Sequence, residues 1–176
     1  MKRALLVATV QSHIAQFHRP LIKVLKENGW EIHVAARDNL AEKNGLAIEN
    51  VDRIYNIPFQ RNPLDVRNVS AYQKLKRLLA LERYDIINCN TPAAGVYARL
   101  AARNVRKQGT KVFYTAHGFH FYQGAPRRNW LIYYPIEMFL NPELFDMNIR
   151  VVNMKETDFR ARALNAIFTL NMVLPI

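Results

Sequence analysis

The sequence is short of the residues that most often announce a chemistry. It has one cysteine, Cys89. No internal disulfide can form, and a reducing compartment is the natural setting. Glycine is scarce, at six residues, and none of them builds a GxGxxG turn after the first apolar run or a phosphate-cradling P-loop. No Gly-x-Ser-x-Gly elbow offers a nucleophilic serine. His, Cys and Asp residues follow no metal-binding spacing, and His13 and His18 are a poor metal pair on a helix. No metal or other cofactor is therefore expected. No apolar stretch reaches the roughly 18 residues of a membrane span. The most apolar segment, 130–140, contains Pro135 and Glu137. The opening Met1-Lys2-Arg3, followed by apolar residues 4–10, looks like a secretory signal only superficially. That run is short and meets Gln11-Ser12-His13 without a small-residue cleavage site. The expected location is cytoplasmic, peripheral on the inner face of the plasma membrane.

Acid is scarce too. The chain has 14 Asp and Glu against 25 Lys and Arg, a formal net charge of +11. Such a charge is a statement about partners. Nucleic acid, an anionic membrane surface and phosphate-bearing small molecules all fit it. Nucleic acid is not expected, because the cations are spread over several helical patterns and no reader motif is present.

What is present is alternation. Residues 4–10, 31–36, 53–57, 85–89, 111–116 and 149–153 read as strands. Helical patterns fall at 20–28, 69–82, 92–107, 130–140 (interrupted by Pro135) and 155–163. In the first helix Leu21, Val24 and Leu25 are the expected buried face. In the second it is Tyr72, Leu75, Leu78 and Leu79. In the third, Ala94, Tyr97, Ala98, Ala101 and Val105 pack, while Arg99, Arg103 and Arg106 occupy another face. This order predicts an α/β fold, a Rossmann-like parallel sheet flanked by helices.

Ligands of such sheets sit beyond the carboxyl ends of the strands. That rule selects residues 9–19, 88–95 and 115–124. Thr91 is a good N-cap and Pro92 a good first helical residue, so a helix start could face an anion there. Ordinary helix initiation explains the same pair. Arg99, nearest the helix start, is the candidate phosphate contact. In Thr115-Ala116-His117-Gly118-Phe119-His120-Phe121-Tyr122, His117 follows a buried strand and Gly118 permits close backbone approach. An imidazole there could donate to a sugar hydroxyl or a phosphate. Phe119, Phe121 and Tyr122 suit either core or lid. Arg127 and Arg128 beside Trp130 suit a membrane interface, or equally a packed helix with a basic start.

The residues also carry a family resemblance. Leu5 to Val10, Gln11-Ser12-His13-Ile14, Phe17-His18-Arg19-Pro20 and Asn28-Gly29-Trp30 resemble the opening of bacterial family-4 glycosyltransferases of the GT-B kind, from polysaccharide-assembly clusters. Tyr55-Asn56-Ile57-Pro58-Phe59, Tyr84-Asp85-Ile86-Ile87 and Thr91-Pro92 fit the same group. The fullest match is Tyr114 through Pro126, continuing through Asn129-Trp130. The resemblance covers about the first 140 residues. It implies a Rossmann-like domain that binds the acceptor, facing a second domain that binds a nucleotide sugar. It further implies metal-independent transfer that retains configuration, with His117 on the transferring sugar. Ser12, His13, Asn90, Thr91, Arg99, Gly118, Phe119, His120 and Tyr122 are the implied substrate-binding positions. A lipid-linked or glycan acceptor at the membrane surface suits the basic charge. The family usually has histidines where this chain has Asn88 and Asn90, and asparagine keeps hydrogen bonding but gives up titration.

The expected organisation is an acceptor-side domain at 1–165 and a divergent tail at 166–176, with the donor-binding domain absent. The expected function is sugar transfer in surface polysaccharide synthesis, inactive until a donor-binding partner chain or domain completes it. The alternative is a non-catalytic remnant or membrane-docking module.

Overall fold

The computed structural model describes residues 1–43, 45–115 and 124–140. The chain divides into two units, Met1–Tyr114 and Thr115–Ile176. The elements run β1 (Arg3–Val10), α1 (Gln11–Phe17), α2 (Arg19–Glu27), β2 (Glu31–Arg37), β3 (Arg53–Asn56), α3 (Asn68–Leu81), β4 (Ile86–Asn90), α4 (Pro92–Ala101), α5 (Arg103–Arg106), β5 (Lys111–Thr115) and α6 (Arg127–Leu140). The strands form one sheet in the order β3-β2-β1-β4-β5. β1 pairs in parallel with both β2 and β4, and β2 with β3. The Rossmann-like α/β architecture is the one expected from the alternation. The expected strand at 149–153 and helix at 155–163 lie outside the described residues.

β1 shows why the sheet is layered. Its side chains alternate between two cores. Leu5 and Val7 join Leu75, Leu79, Ala94 and Ala98 on the α3–α4 side. Leu6 and Ala8 join Ile14 and Ile22 on the α1–α2 side. A strand buried on both faces must be apolar at consecutive positions, and residues 4–8 are all fully buried.

Four local expectations are corrected. Residues 11–17, assigned to no strand or helix by the sequence pattern, form α1. Ile14 and Ala15 are buried there, and the helix has no side-chain N-cap, so packing rather than a start signal supports it. In α2 the buried residue is Ile22, with Leu21 and Leu25 packed beside it, whereas Val24 is 55% exposed. Helical geometry places position 24 about 200° around the axis from position 22. The helix expected at 92–107 breaks at Ala102 into α4 and α5. α6 runs through Pro135 and begins at Arg127. The proline forfeits one bond to the carbonyl of Leu131. Leu131 is 77% exposed, so water can satisfy that carbonyl.

The amino ends of the strands are tied by charge. Arg3 Nε donates to Glu31 Oε2 at 2.6 Å and its Nη1 to Glu82 Oε2 at 2.7 Å. Arg53 adds a second bond to Glu82 at 3.2 Å. Fully buried His33 lies between the Tyr84 hydroxyl at 2.8 Å and Glu31 Oε1 at 2.9 Å. The hydrogen bond from Arg3, aided by His33, holds the Glu31 carboxyl below its ordinary value. A depressed carboxylate contributes stability above its unfolded pKa and loses it as pH falls from there through the lower folded value. Stability measured by denaturant unfolding should therefore fall as pH drops below about 4.5. Glu31→Gln should lower stability at pH 7 and flatten that acid limb. An unchanged acid limb in Glu31→Gln would remove this network as its cause.

Candidate functional site

The crossovers from β1 and β4 leave toward opposite faces of the sheet. α1 and α2 pack with one core and α4 with the other. Between the two strand ends lies the topological switch point, where open α/β sheets bind ligands.

Register sets what meets there. Val7 is paired with Cys89, so two residues further on Thr9 and Thr91 stand level. Thr91 Oγ1 donates to the carbonyl of Asn90. It therefore accepts from Thr9, from the backbone N–H at 3.0 Å and from the hydroxyl at 2.7 Å. Thr91 adopts φ 68°, ψ 146°, a conformation that costs a β-branched residue on the order of 1–3 kcal/mol. Its side chain does not cap α4, contrary to the N-cap expectation. The hydroxyl is turned back into the strand ends, which fixes the strained turn.

Asn90 is fully buried. Its Nδ2 donates to Asn88 Oδ1 at 2.6 Å, leaving Oδ1 to accept from His18 Nε2 at 2.9 Å. Burial pushes the His18 imidazole below its ordinary pKa, against the opposing pull of Asn90 and the His13 backbone. The ring is held neutral. Ser12 and Asn39 form a reciprocal clasp between α1 and the loop after β2. The Ser12 N–H reaches Asn39 Oδ1 at 3.0 Å, and Asn39 Nδ2 reaches Ser12 Oγ at 2.9 Å. His13 lies between Phe17 and His18, with ring centroids 5.0 and 5.4 Å apart.

Ser12, His13, Asn90 and Thr91 are thus brought together. Thr9, His18 and Asn39 belong to the cluster as well. Thr9 and His18 fall in the segment the strand-end rule selects, but nothing local marks Asn39, which arrives through the fold. Arg99 is placed differently from the phosphate contact expected. It is buried, its Nε donates to the carbonyl of Gly95 at 2.9 Å, and its guanidinium lies 4.1 Å from the Tyr114 ring centroid. His117, Gly118, Phe119, His120 and Tyr122 lie outside the described residues. In the second unit, Arg127 and Arg128 are exposed at the start of α6, and Trp130 is 40% exposed with its ring 5.7 Å from Tyr134.

The cluster is polar, and its amide and hydroxyl groups and the His18 ring carry no charge. Neutral imidazole, amide and hydroxyl groups exchange hydrogen bonds in both directions, as a polyol requires. Burial pushes the Cys89 thiol up to about 12, so no thiolate contributes. Among the described residues, no group of three metal-ligating side chains is placed to hold an ion. No helix there is long and apolar enough to cross a membrane. A hollow of about 900 Å³ lies at the opposite, amino end of the sheet. Its Arg3, Glu31 and Glu82 are paired with one another, so it competes poorly as a ligand site.

The chain matches the signature of the "Glycosyl transferase 4-like" family over residues 3–142. It is 49% identical over 141 residues to EpsD of Bacillus subtilis (strain 168), a glycosyltransferase by name. That alignment covers 80% of this chain and 35% of EpsD, so the chain spans about a third of that relative's length. Among solved structures, a UDP-N-acetylglucosamine 2-epimerase superposes with a TM-score of 0.57 at 17% identity, over 81% of this chain and 40% of the epimerase. The S. aureus MnaA–UDP complex gives 0.58 at 14%, over 81% and 37%. The Neisseria meningitidis UDP-GlcNAc 2-epimerase bound to UDP-GlcNAc gives 0.55 at 16%, over 80% and 38%. At these identities the structural likeness is one of fold.

Two measurements check this geometry. The His18 ring should titrate below pH 6.5 by NMR, and Asn90→Ala should move its midpoint lower still, because the lost bond favoured the charged form. A midpoint that rises in Asn90→Ala contradicts the assigned pairing. A methyl group at Gly95 would meet Tyr114 Cε2 at 2.5 Å, and the ring is backed by Arg99. Gly95→Ala should cost about 1–3 kcal/mol in unfolding free energy, and Tyr114→Leu in the same chain should recover part of it.

Proposed function

The chain belongs to the glycosyl transferase 4-like family, and we propose that it forms the acceptor-side half of an enzyme that moves a sugar from a nucleotide sugar to a lipid-linked glycan in surface polysaccharide synthesis. The observation that carries this reading is the set of neutral polar pairs at the switch point, where Thr9 meets Thr91 and His18 meets Asn90. Such groups bind sugar hydroxyls without desolvating a charge. The start of α4 beside them favours the phosphates of a donor. The structures of like fold that hold UDP or UDP-GlcNAc agree with a nucleotide-sugar partner.

In this reading Ser12, His13, Asn90 and Thr91 line the acceptor side, and His117 contacts the transferring sugar. Gly118, Phe119, His120 and Tyr122 complete that segment. Arg99 acts from within, stacked on Tyr114 of the strand that leads to His117. The transfer uses no metal and takes place at the cytoplasmic face of the membrane, with Arg127, Arg128 and Trp130 of α6 at the lipid interface. A single wall does not enclose a reaction, so transfer requires a donor-binding domain facing this one, on the same polypeptide or another. A second reading, a non-catalytic module, draws on one observation. Asn90, where the family usually has histidine, has its amide groups engaged within the protein.

The test supplies the chain with candidate donor-binding domains and a panel of nucleotide sugars, and follows transfer to a polyprenyl-phosphate-linked acceptor. Transfer is expected, and His117→Ala should reduce it at least about tenfold, the scale of one lost hydrogen bond to a charged group. Equal transfer with alanine at position 117 defeats that assignment. No transfer from any donor with any domain favours the non-catalytic reading.

A further inference from the structure

The carboxyl end of β1 holds one residue more than its partner. β1 pairs Val7 with Ala35 but Val10 with Arg37, so three steps along β1 match two along β2. Such a bulge re-aims the residues that follow it, and bulges are over-represented beside active sites. Thr9 falls inside it, and its N–H goes to Thr91 Oγ1. Carried on from Val10 and Arg37, the register sets Ser12 level with Asn39. Carried on from Val7 and Ala35, it would set Ser12 level with Leu40, whose side chain accepts no hydrogen bond.

The start of α1 needs what Asn39 supplies. α1 begins at Gln11 directly after β1, and its cap position is held by Val10, which has no side-chain oxygen. The N–H groups of a first helical turn have no partner within the helix. A cap side chain ordinarily accepts from the second or third of them. Here Asn39 Oδ1 accepts from the second, the Ser12 N–H, at 3.0 Å. Asn39 thus caps α1 from the loop of another strand. Its Nδ2 donates back to Ser12 Oγ at 2.9 Å, so both ends of the amide are engaged and its orientation is fixed. The loop backbone is held on either side. The Asp38 N–H donates to Asn56 Oδ1 and the Leu40 N–H to Asp38 Oδ1, both at 3.1 Å. Ser12 and Asn39 are buried, so water is a poor substitute for their bonds. His13, the next residue, is only partly buried.

We propose that Asn39 is a positioning residue: by capping α1 from outside the helix it fixes the first turn, and so the place of His13 against the sugar acceptor. Asn39 itself touches no substrate. A seven-residue helix has little stability of its own, and a misplacement of about 1 Å is enough to weaken a contact. The proposal rests on the reading of His13 as an acceptor-side residue.

Two readouts test it. In the chain alone, NMR of the His13 ring reports its surroundings without any transfer. Asn39→Ala should shift that resonance. Asn39→Asp should return it towards the parent position, because a carboxylate oxygen still accepts from the Ser12 N–H and the Ser12 hydroxyl can turn to donate. In the completed enzyme, Asn39→Ala should raise the KM for the sugar acceptor about tenfold, with kcat and the donor KM within about twofold of the parent. Asn39→Asp should restore most of that loss. In a His13→Ala background, Asn39→Ala should leave the acceptor KM where it is, since the residue it acts through is gone. A merely structural role would add its loss in both backgrounds. Asn39→Gln keeps both amide groups one methylene further out and should show the same KM effect with less loss of stability, so an alanine variant that unfolds does not close the test. The proposal is overturned if the His13 resonance stays in place in Asn39→Ala and Asn39→Gln, if Asn39→Asp behaves like alanine, or if the Asn39 and His13 effects on KM add. A completed enzyme that transfers nothing defeats the transferase reading, and the His13 resonance then decides the placement by Asn39 separately.

Discussion

β1 is paired with strands along both edges and packed on both faces, and the other elements are placed by it. Its register with β4 sets Val7 against Cys89 and so brings Thr9 level with Thr91. Its alternating side chains divide the helices between two cores. A slip of one residue would turn Leu5 and Val7 to the wrong core and separate the two threonines. The hydrophobic pattern that stabilises the sheet therefore also builds the polar cluster at its end.

That cluster is made of groups that cost little to bury because each is answered. Asn90 is held by Asn88 and His18, Thr91 by Thr9, and Ser12 by Asn39. The neutral state of His18 belongs to the same logic, since burial opposes its charge more strongly than Asn90 favours it. Charge is found elsewhere, in the Arg3–Glu31–Glu82 ties at the amino ends of the strands and on the outer face of α3. The two ends of the sheet thus carry different chemistry. One is cross-linked by ion pairs, and the other holds the neutral hydrogen-bonded pairs and the strained turn at Thr91. Strain held by surrounding contacts is a recurring property of binding sites.

Much of this was legible before the fold was seen. Apolar runs with flanking glycine and helical spacing located β1, β2, β4, β5 and α3 to within a residue or two, because burial on both faces and amphipathic packing leave strong periodic traces. α1 was not legible. A seven-residue helix without a cap has little local signature, and its reason for existing is the burial of Ile14 against β1. Arg99 misled for a related reason. Its place nearest the helix start suggested a phosphate contact, whereas Tyr114, fifteen positions away in sequence, supplies a ring that shelters the guanidinium.

The sequence by itself determined the parallel α/β class, the strand ends at which Thr9 and Thr91 lie, the family and the excess of positive charge, since each is written in local composition, spacing or motif. Only the tertiary structure decided which side chains meet. Asn39 reaches Ser12 from 27 positions away, Thr91 reaches Thr9 from 82, and Tyr97 pins Pro63 from 34. Such pairings follow from strand register and helix placement, and these are set by the shared filling of two cores. No window of neighbouring residues contains that information.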